Sequence, residues 1–381
     1  MLTFVYLYLL LFSFVLSLLF LPIAKRLAFR LQMIDHPDGR KAHQQPRPLL
    51  GGLAFYFAFT VALFTQIIGY YFFQNHSWFA ARFSFLTEQS QHFLALLPKL
   101  LAIWGGSTLM TVLGFVDDRR GVGFSYKIKF VTQILTASLL VITGIKTDFM
   151  PFPFLNGVIT IAWVVGITNA FNLLDNMDGL SAGVATIAAL IFFVITAAQG
   201  QVFSAMVFAL FIGAVGGFLV HNFHPAKIFM GDTGSLFIGY MLATLSLTSS
   251  YVVPTSVNLL PVIAPLLILS LPIFDTLSVM FIRHRENRPW FIGDRRHFSH
   301  RLVELGMSQR GAVVFIYLVA LSIGAAAALL PYLPLWGQLL VLLQTVVIYT
   351  MIAILMYIAK RQNQTTVSIT ESKSEIIFKS E

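Results

Sequence analysis

The chain has no cysteine, which excludes disulfides, thiolate nucleophiles and cysteine-bound metals. Charge is scarce too: charged residues are 11% of 381 and hydrophobic residues 57%. No linker separates soluble domains, and no internal repeat is evident. What is there instead is a series of apolar runs of about 20 residues, the length that crosses a bilayer. The composition predicts an all-α fold, a polytopic membrane helical bundle.

About eleven transmembrane helices are expected, near 2–24, 49–73, 93–116, 128–145, 154–174, 180–199, 202–220, 233–250, 258–282, 312–330 and 335–358. Residues 1–358 then form one integral membrane domain, and the polar segment 359–381 reads as a flexible cytoplasmic tail. Lys25 and Arg26 follow the first run with no basic residue before it, so it reads as an anchor with its N-terminus outside rather than a cleaved signal. That orientation puts 22 of the 25 lysines and arginines at or beside inner segments, as the positive-inside rule requires. The net charge of +9 therefore speaks for membrane lipid headgroups or a phosphorylated substrate, and not for nucleic acid.

Acidic residues number only sixteen, and six of them lie at or near the ends of apolar spans: Asp117, Asp118, Asp175, Asp178, Asp232 and Asp275. A carboxylate there is costly and persists where it lines a polar cavity or binds something. All six fall towards the inner face in this topology, which points to a cation-binding enzyme at a membrane surface.

Five segments carry candidate chemistry. The first inner loop, with Arg40, Lys41, His43, Pro46 to Pro48 and Gly51-Gly52, is a non-helical stretch that offers cations to a phosphate or only marks topology. Asp117-Asp118-Arg119-Arg120 joins two mutually repelling carboxylates that a divalent cation or the arginines would relieve. Asn169, Asn172, Asp175 and Asn176, if helical, share one face through three- and four-residue spacing, with Asp178-Gly179 following. They form either a substrate site or a polar seam between helices. Gly231-Asp232-Thr233-Gly234-Ser235 opens a helix, where Asp232 serves as N-cap, metal ligand or both. Finally, Arg295, Arg296, His297, His300 and Arg301 suit a pyrophosphate or a sugar, or supply inner-face charge.

From about Asp35 to Arg310, these five motifs in this order resemble the polyprenyl-phosphate N-acetylhexosamine-1-phosphate transferases. The resemblance implies an enzyme, dependent on Mg2+ with Mn2+ as the alternative, that moves a sugar-1-phosphate from a UDP-sugar to a membrane polyprenyl phosphate and releases UMP. It implies a cytoplasmic active site in the cell membrane and a role in cell-envelope polysaccharide synthesis, and it leaves a homodimer open. By resemblance Asp117 acts on the lipid phosphate, Asp118 and Asp178 are catalytic, and Asp232 and Asp118 hold the metal. Asn169, Asn172, Asp175, His297, His300 and Arg301 then bind substrate.

The pattern is nearer the N-acetylglucosamine-1-phosphate branch than the muramoyl-pentapeptide branch, whose donor is the alternative. Ser299 departs from that branch's His-x-His-His, which bears on the donor sugar. An ion-coupled transporter, the rival from another class, would hold its carboxylates nearer mid-membrane. A CDP-alcohol phosphotransferase expects arginine where Gly183 stands.

Overall fold

The computed structural model describes residues 1–36, 46–83, 90–253, 256, 258–287 and 297–378, with side chains to 358 except at 80, 90–95 and 122. The helices are α1 (Leu2–Arg30), α2 (Gly51–Phe73), α3 (Ser77–Arg82), α4 (Ser90–Arg120), α5 (Tyr126–Ile142), α6 (Pro153–Leu174) and α7 (Leu180–Ala198). They continue with α8 (Val202–Asn222), α9 (Gly231–Thr248), α10 (Ala264–Ile268), α11 (Ser270–Arg285), α12 (Phe298–Glu304), α13 (Gln309–Ala328) and α14 (Leu335–Phe378). The expected all-helical membrane bundle is present, and α14 carries helical backbone as far as Phe378 in the segment read as a tail.

The central element is α9. Every residue from Thr233 to Ser246 is buried, and α2, α4, α6 and α7 pack around it. Between membrane helices apolar burial gives little preference for protein over lipid, so close backbone approach through small residues has to hold the bundle. Glycine supplies it here. A Cβ on Gly114 of α4 would lie 2.2 Å from the Asp232 carbonyl oxygen, and one on Gly52 of α2 would lie 2.2 Å from the Gly234 nitrogen. Both contacts fall at the start of α9, where the acidic residues gather.

Among the described residues eight helices are long and apolar enough to span, or nine if the bent pair Leu260–Ile268 and Ser270–Arg285, meeting at 67°, is one span. Eleven were expected, and the difference has local causes. Helix α5 has only 17 residues, fewer than the roughly 20 that cross a bilayer. Helix α9 opens on the polar run Gly-Asp-Thr-Gly-Ser, which lowers its mean hydropathy. The run near 258–282 carries Pro261, Pro265 and Pro272 and breaks between α10 and α11.

The described ends of the loop between α1 and α2 are fastened to the same end of the bundle. Ile34–Asp35 and Arg47–Pro48 pair as a short antiparallel ribbon. The Phe229 N–H donates to the Pro48 carbonyl at 2.8 Å, and the Gly51 N–H to the Phe229 carbonyl at 2.8 Å. The ribbon therefore sits against the segment that leads into Asp232. Arg40, Lys41 and His43 lie outside the described residues, as do Arg295 and Arg296.

Candidate active site

The last turn of α4 carries Asp117 and Asp118, and their side chains do different things. Asp118 Oδ1 accepts the Asp232 N–H at 2.8 Å, while Oδ2 accepts the Thr233 N–H at 2.9 Å and its hydroxyl at 2.6 Å. The first N–H groups of a helix lack partners within it and attract negative charge. Helix α9 has no side-chain cap of its own, so Asp118 caps it from a neighbouring helix. Gly231, at φ +65°, makes the preceding turn, and a Cβ there would meet Asp118 Oδ2 at 2.4 Å.

Capping by Asp118 frees the Asp232 carboxylate. Its Oδ2 accepts from Lys129 Nζ at 2.5 Å and its Oδ1 from Asn172 Nδ2 at 2.8 Å. The same Lys129 ammonium pairs with Asp117 Oδ2 at 2.5 Å. One cation thus bridges two carboxylates from α4 and α9, and it comes from α5, where the sequence had counted Lys129 only as a topology charge. A lysine one turn inside an apolar helix start was the available signal, since an ionisable group there asks for a partner.

The asparagines of α6 divide. Asn172 also donates to Ser235 Oγ at 2.9 Å, so it joins the acidic cluster. Asn169 Nδ2 donates to Gln133 Oε1 at 2.6 Å and to the Val165 carbonyl at 2.8 Å, which places its side chain in a seam between α5 and α6. Helix α6 ends at Leu174, so Asp175 and Asn176 stand in the following turn and not on the helical face that their spacing suggested. Burial, then the charges of Asp232, Asp118 and Asp178, push the Asp175 carboxyl well above the usual carboxylate range.

Beyond this turn Asp178 faces away from the Lys129 cluster. Its Oδ2 meets His224 Nδ1 at 2.8 Å and accepts the Ala226 N–H at 3.0 Å. Gly179, at φ +75°, donates its N–H to Asn222 Oδ1 at 3.0 Å, and its carbonyl accepts from the Tyr317 hydroxyl. The turn is anchored on α8 and α13 as well as on the loop after α8.

The histidine segment is joined to the rest by two contacts, one part-buried and one buried. Ser299 Oγ donates to Asn176 Oδ1 at 2.6 Å, which ties α12 to the turn holding Asp175. Asp275 Oδ2 meets His297 Nδ1 at 2.7 Å, and its Oδ1 accepts the Phe298 N–H at 2.8 Å. Asp275, the acid that no motif explained, therefore caps α12 and orients His297. His300 lies half-buried on α12, and Arg301 Nη1 donates to the Met356 carbonyl at 3.5 Å on α14.

Among the described residues no three histidine, aspartate or glutamate side chains form a metal-binding group. Magnesium asks for little more than one or two carboxylates, because substrate phosphates and waters fill the remaining positions. Asp117 and Asp232, two hard oxygen donors that already converge on one cation, fit that requirement.

The fold and this site define a polytopic helical membrane protein with an acidic centre at the start of its innermost helix. Residues 100–250 match glycosyl transferase family 4. The chain is 35% identical over 354 residues, 90% of each chain, to a Bacillus subtilis (strain 168) protein described as a probable undecaprenyl-phosphate N-acetylglucosaminyl 1-phosphate transferase. It is 33% identical over 337 residues, 80% of this chain and 78% of the relative, to the decaprenyl-phosphate N-acetylglucosaminephosphotransferase of Mycobacterium tuberculosis (strain ATCC 25618 / H37Rv). Identity to the phospho-N-acetylmuramoyl-pentapeptide-transferase of Geobacillus thermodenitrificans is 32% over 256 residues, 62% of this chain and 71% of the relative. The chain belongs to the polyprenyl-phosphate N-acetylhexosamine-1-phosphate transferases, within glycosyl transferase family 4.

Proposed function

We propose that the protein transfers N-acetylglucosamine-1-phosphate from UDP-N-acetylglucosamine to a membrane polyprenyl phosphate, releasing UMP at the cytoplasmic face of the cell membrane. The observation that carries this reading is the Lys129 ammonium held between Asp117 and Asp232 at 2.5 Å from each. It lies at the membrane end of the central helix, in a chain that matches an N-acetylglucosaminyl 1-phosphate transferase relative over 90% of its length.

A phosphate monoester has a second pKa of about 6, so the lipid phosphate is largely dianionic at neutral pH and needs positioning more than deprotonation. One of its oxygens bonds to the sugar-bearing phosphorus of the donor, and the bond from that phosphorus to the oxygen bridging to UMP breaks. UMP leaves with that oxygen and its electron pair.

Lys129 is the cation of this chain that meets the incoming phosphate, and the two aspartates hold it in place. Asp117 Oδ2 is engaged by Lys129, which favours an electrostatic part for Asp117 over a covalent one. Asp118 works through α9, keeping Asp232 turned into the site. Asn172 fixes the other Asp232 oxygen. His297, oriented by Asp275, serves the donor together with His300 and Arg301. Asp232 would hold Mg2+, with Asp117 beside it, and the ion would supply neutralisation of charge on the donor pyrophosphate.

The test is UMP release by purified protein given polyprenyl phosphate and single UDP-sugars, with and without magnesium. Release that needs both lipid and UDP-N-acetylglucosamine supports the reading. Faster release from a UDP-muramoyl-pentapeptide moves the protein to the other branch. Trapping of labelled phospho-aspartate at Asp117 would overturn direct attack.

A further inference from the structure

A cavity of about 710 Å³ lies at the opposite end of the bundle from the acidic site. Its walls come from the far ends of the helices whose near ends build that site. Leu63 of α2, Leu97 and Ile103 of α4, Leu210 of α8 and Leu245 of α9 line it. Along α9, Thr248 in this cavity is sixteen residues from Asp232, or about 24 Å at roughly 1.5 Å per residue. The two places therefore belong to opposite membrane faces, and a phosphate held at one is not the phosphate held at the other.

The lining is mostly apolar, yet it includes Lys99 and Lys146. Lys99 Cε lies 4.0 Å from the position of a Cβ on Gly144, in the loop that carries Lys146, so both lysines border the same side of the cavity. Neither side chain forms an ion pair or a hydrogen bond with any described residue. The volume falls within the roughly 300–1,000 Å³ usual for ligand pockets. An apolar chamber bordered by two cations that pair with no described residue is complementary to a molecule with an acyl body and an anionic head.

We propose that this cavity is a binding site for an anionic phospholipid of the leaflet opposite the acidic centre, with acyl chain in the chamber and phosphate at Lys99 and Lys146. A neutral lipid fills the chamber without answering the two charges. Inorganic phosphate answers the charges and leaves the apolar walls empty. The occupant chosen is the one that satisfies both.

Native mass spectrometry of the full-length protein in detergent tests this, with phosphatidylglycerol, phosphatidylcholine and inorganic phosphate added separately to the wild type and to Lys99→Gln/Lys146→Gln. The expected result is a phosphatidylglycerol adduct on the wild type, with weaker phosphatidylcholine binding and no phosphate adduct. In the double variant phosphatidylglycerol affinity falls roughly thirtyfold, the fold-change equal to about 2 kcal/mol at about 1 kcal/mol per lysine. Ser204→Trp, which fills the chamber while keeping both lysines, is expected to weaken both lipids together. Equal binding of the two lipids, or phosphatidylglycerol binding unchanged in the double variant, overturns the proposal. So does a protein dimer that forms whichever lipid is present and excludes lipid adducts. Thermal unfolding of each variant without lipid checks that it is folded, and UMP release checks that the distant acidic site still works.

Discussion

Asp275 and His297 meet through a 2.7 Å hydrogen bond, and both side chains are almost fully buried. A carboxylate on Nδ1 leaves Nε2 as the imidazole nitrogen that the proposed donor role of His297 would use. It also holds the ring in one orientation, and the other Asp275 oxygen caps α12. Asp275→Asn keeps the shape and removes the charge. It is expected to lower UMP release by roughly 10–100-fold, the usual size of an effect passed through a supporting residue. The pH profile of kcat, measured beside thermal unfolding, separates this from plain destabilisation, because a role limited to packing would leave the profile unmoved.

Lys129 has two carboxylates to satisfy. Lys129→Met leaves Asp117 and Asp232 facing one another without their shared cation, so the variant loses stability and activity together. Activity is expected to fall on the order of 100-fold or more, as when one charge-stabilising donor is removed from an active site. Adding Asp117→Asn to Lys129→Met should recover thermal stability and leave turnover absent. Recovery of turnover in that double variant would remove Lys129 from the chemistry.

Backbone contact places a third constraint on the site. Gly114→Ala puts a methyl group 2.2 Å from the Asp232 carbonyl oxygen, so α4 and α9 must separate. The expected cost is about 1–3 kcal/mol of stability with loss of activity. Gly105, on the same helix, has open space where its Cβ would be. Gly105→Ala is expected to be neutral or stabilising by up to roughly 1 kcal/mol. Thermal unfolding of the two variants side by side checks the contrast.

Asp175 links stability to pH. Its carboxyl is held above its unfolded value of 3.8, so the folded state keeps a proton that the unfolded state has lost. Stability from this group is fully present below pH 3.8 and is lost as pH rises towards the folded value. Asp175→Asn removes that loss. Unfolding temperatures at neutral pH, without divalent cations, should therefore be higher for the variant than for the wild type, and should converge in acid. Its UMP release is expected to fall all the same.

Much of this was legible in the sequence, because apolar runs and out-of-place carboxylates are local signals. The helical membrane class, Asp117 and Asp232 all came from residue types read one segment at a time. What stayed hidden depends on contacts between segments. Nothing near Asp118 announces that it caps a helix 114 residues away. The partner of Asp275 lies 22 residues further on, at the edge of the histidine segment, and nothing in either segment pairs the two. Lys129 looked like a charge at a loop because its two partners come from other helices. The count of eleven is not confirmed for a related reason: α5 is short, α9 opens on a polar run, and the run near 258–282 is bent, so none of the three passes on length and composition as a single helix.

The most direct measurement is UMP release by the purified full-length protein, supplied with magnesium, polyprenyl phosphate and UDP-N-acetylglucosamine, and repeated with Asp232→Asn and Asp117→Asn. The account predicts lipid-dependent release by the wild type and none by either variant, although both fold. No release from any UDP-sugar, or normal release by either variant, would contradict it.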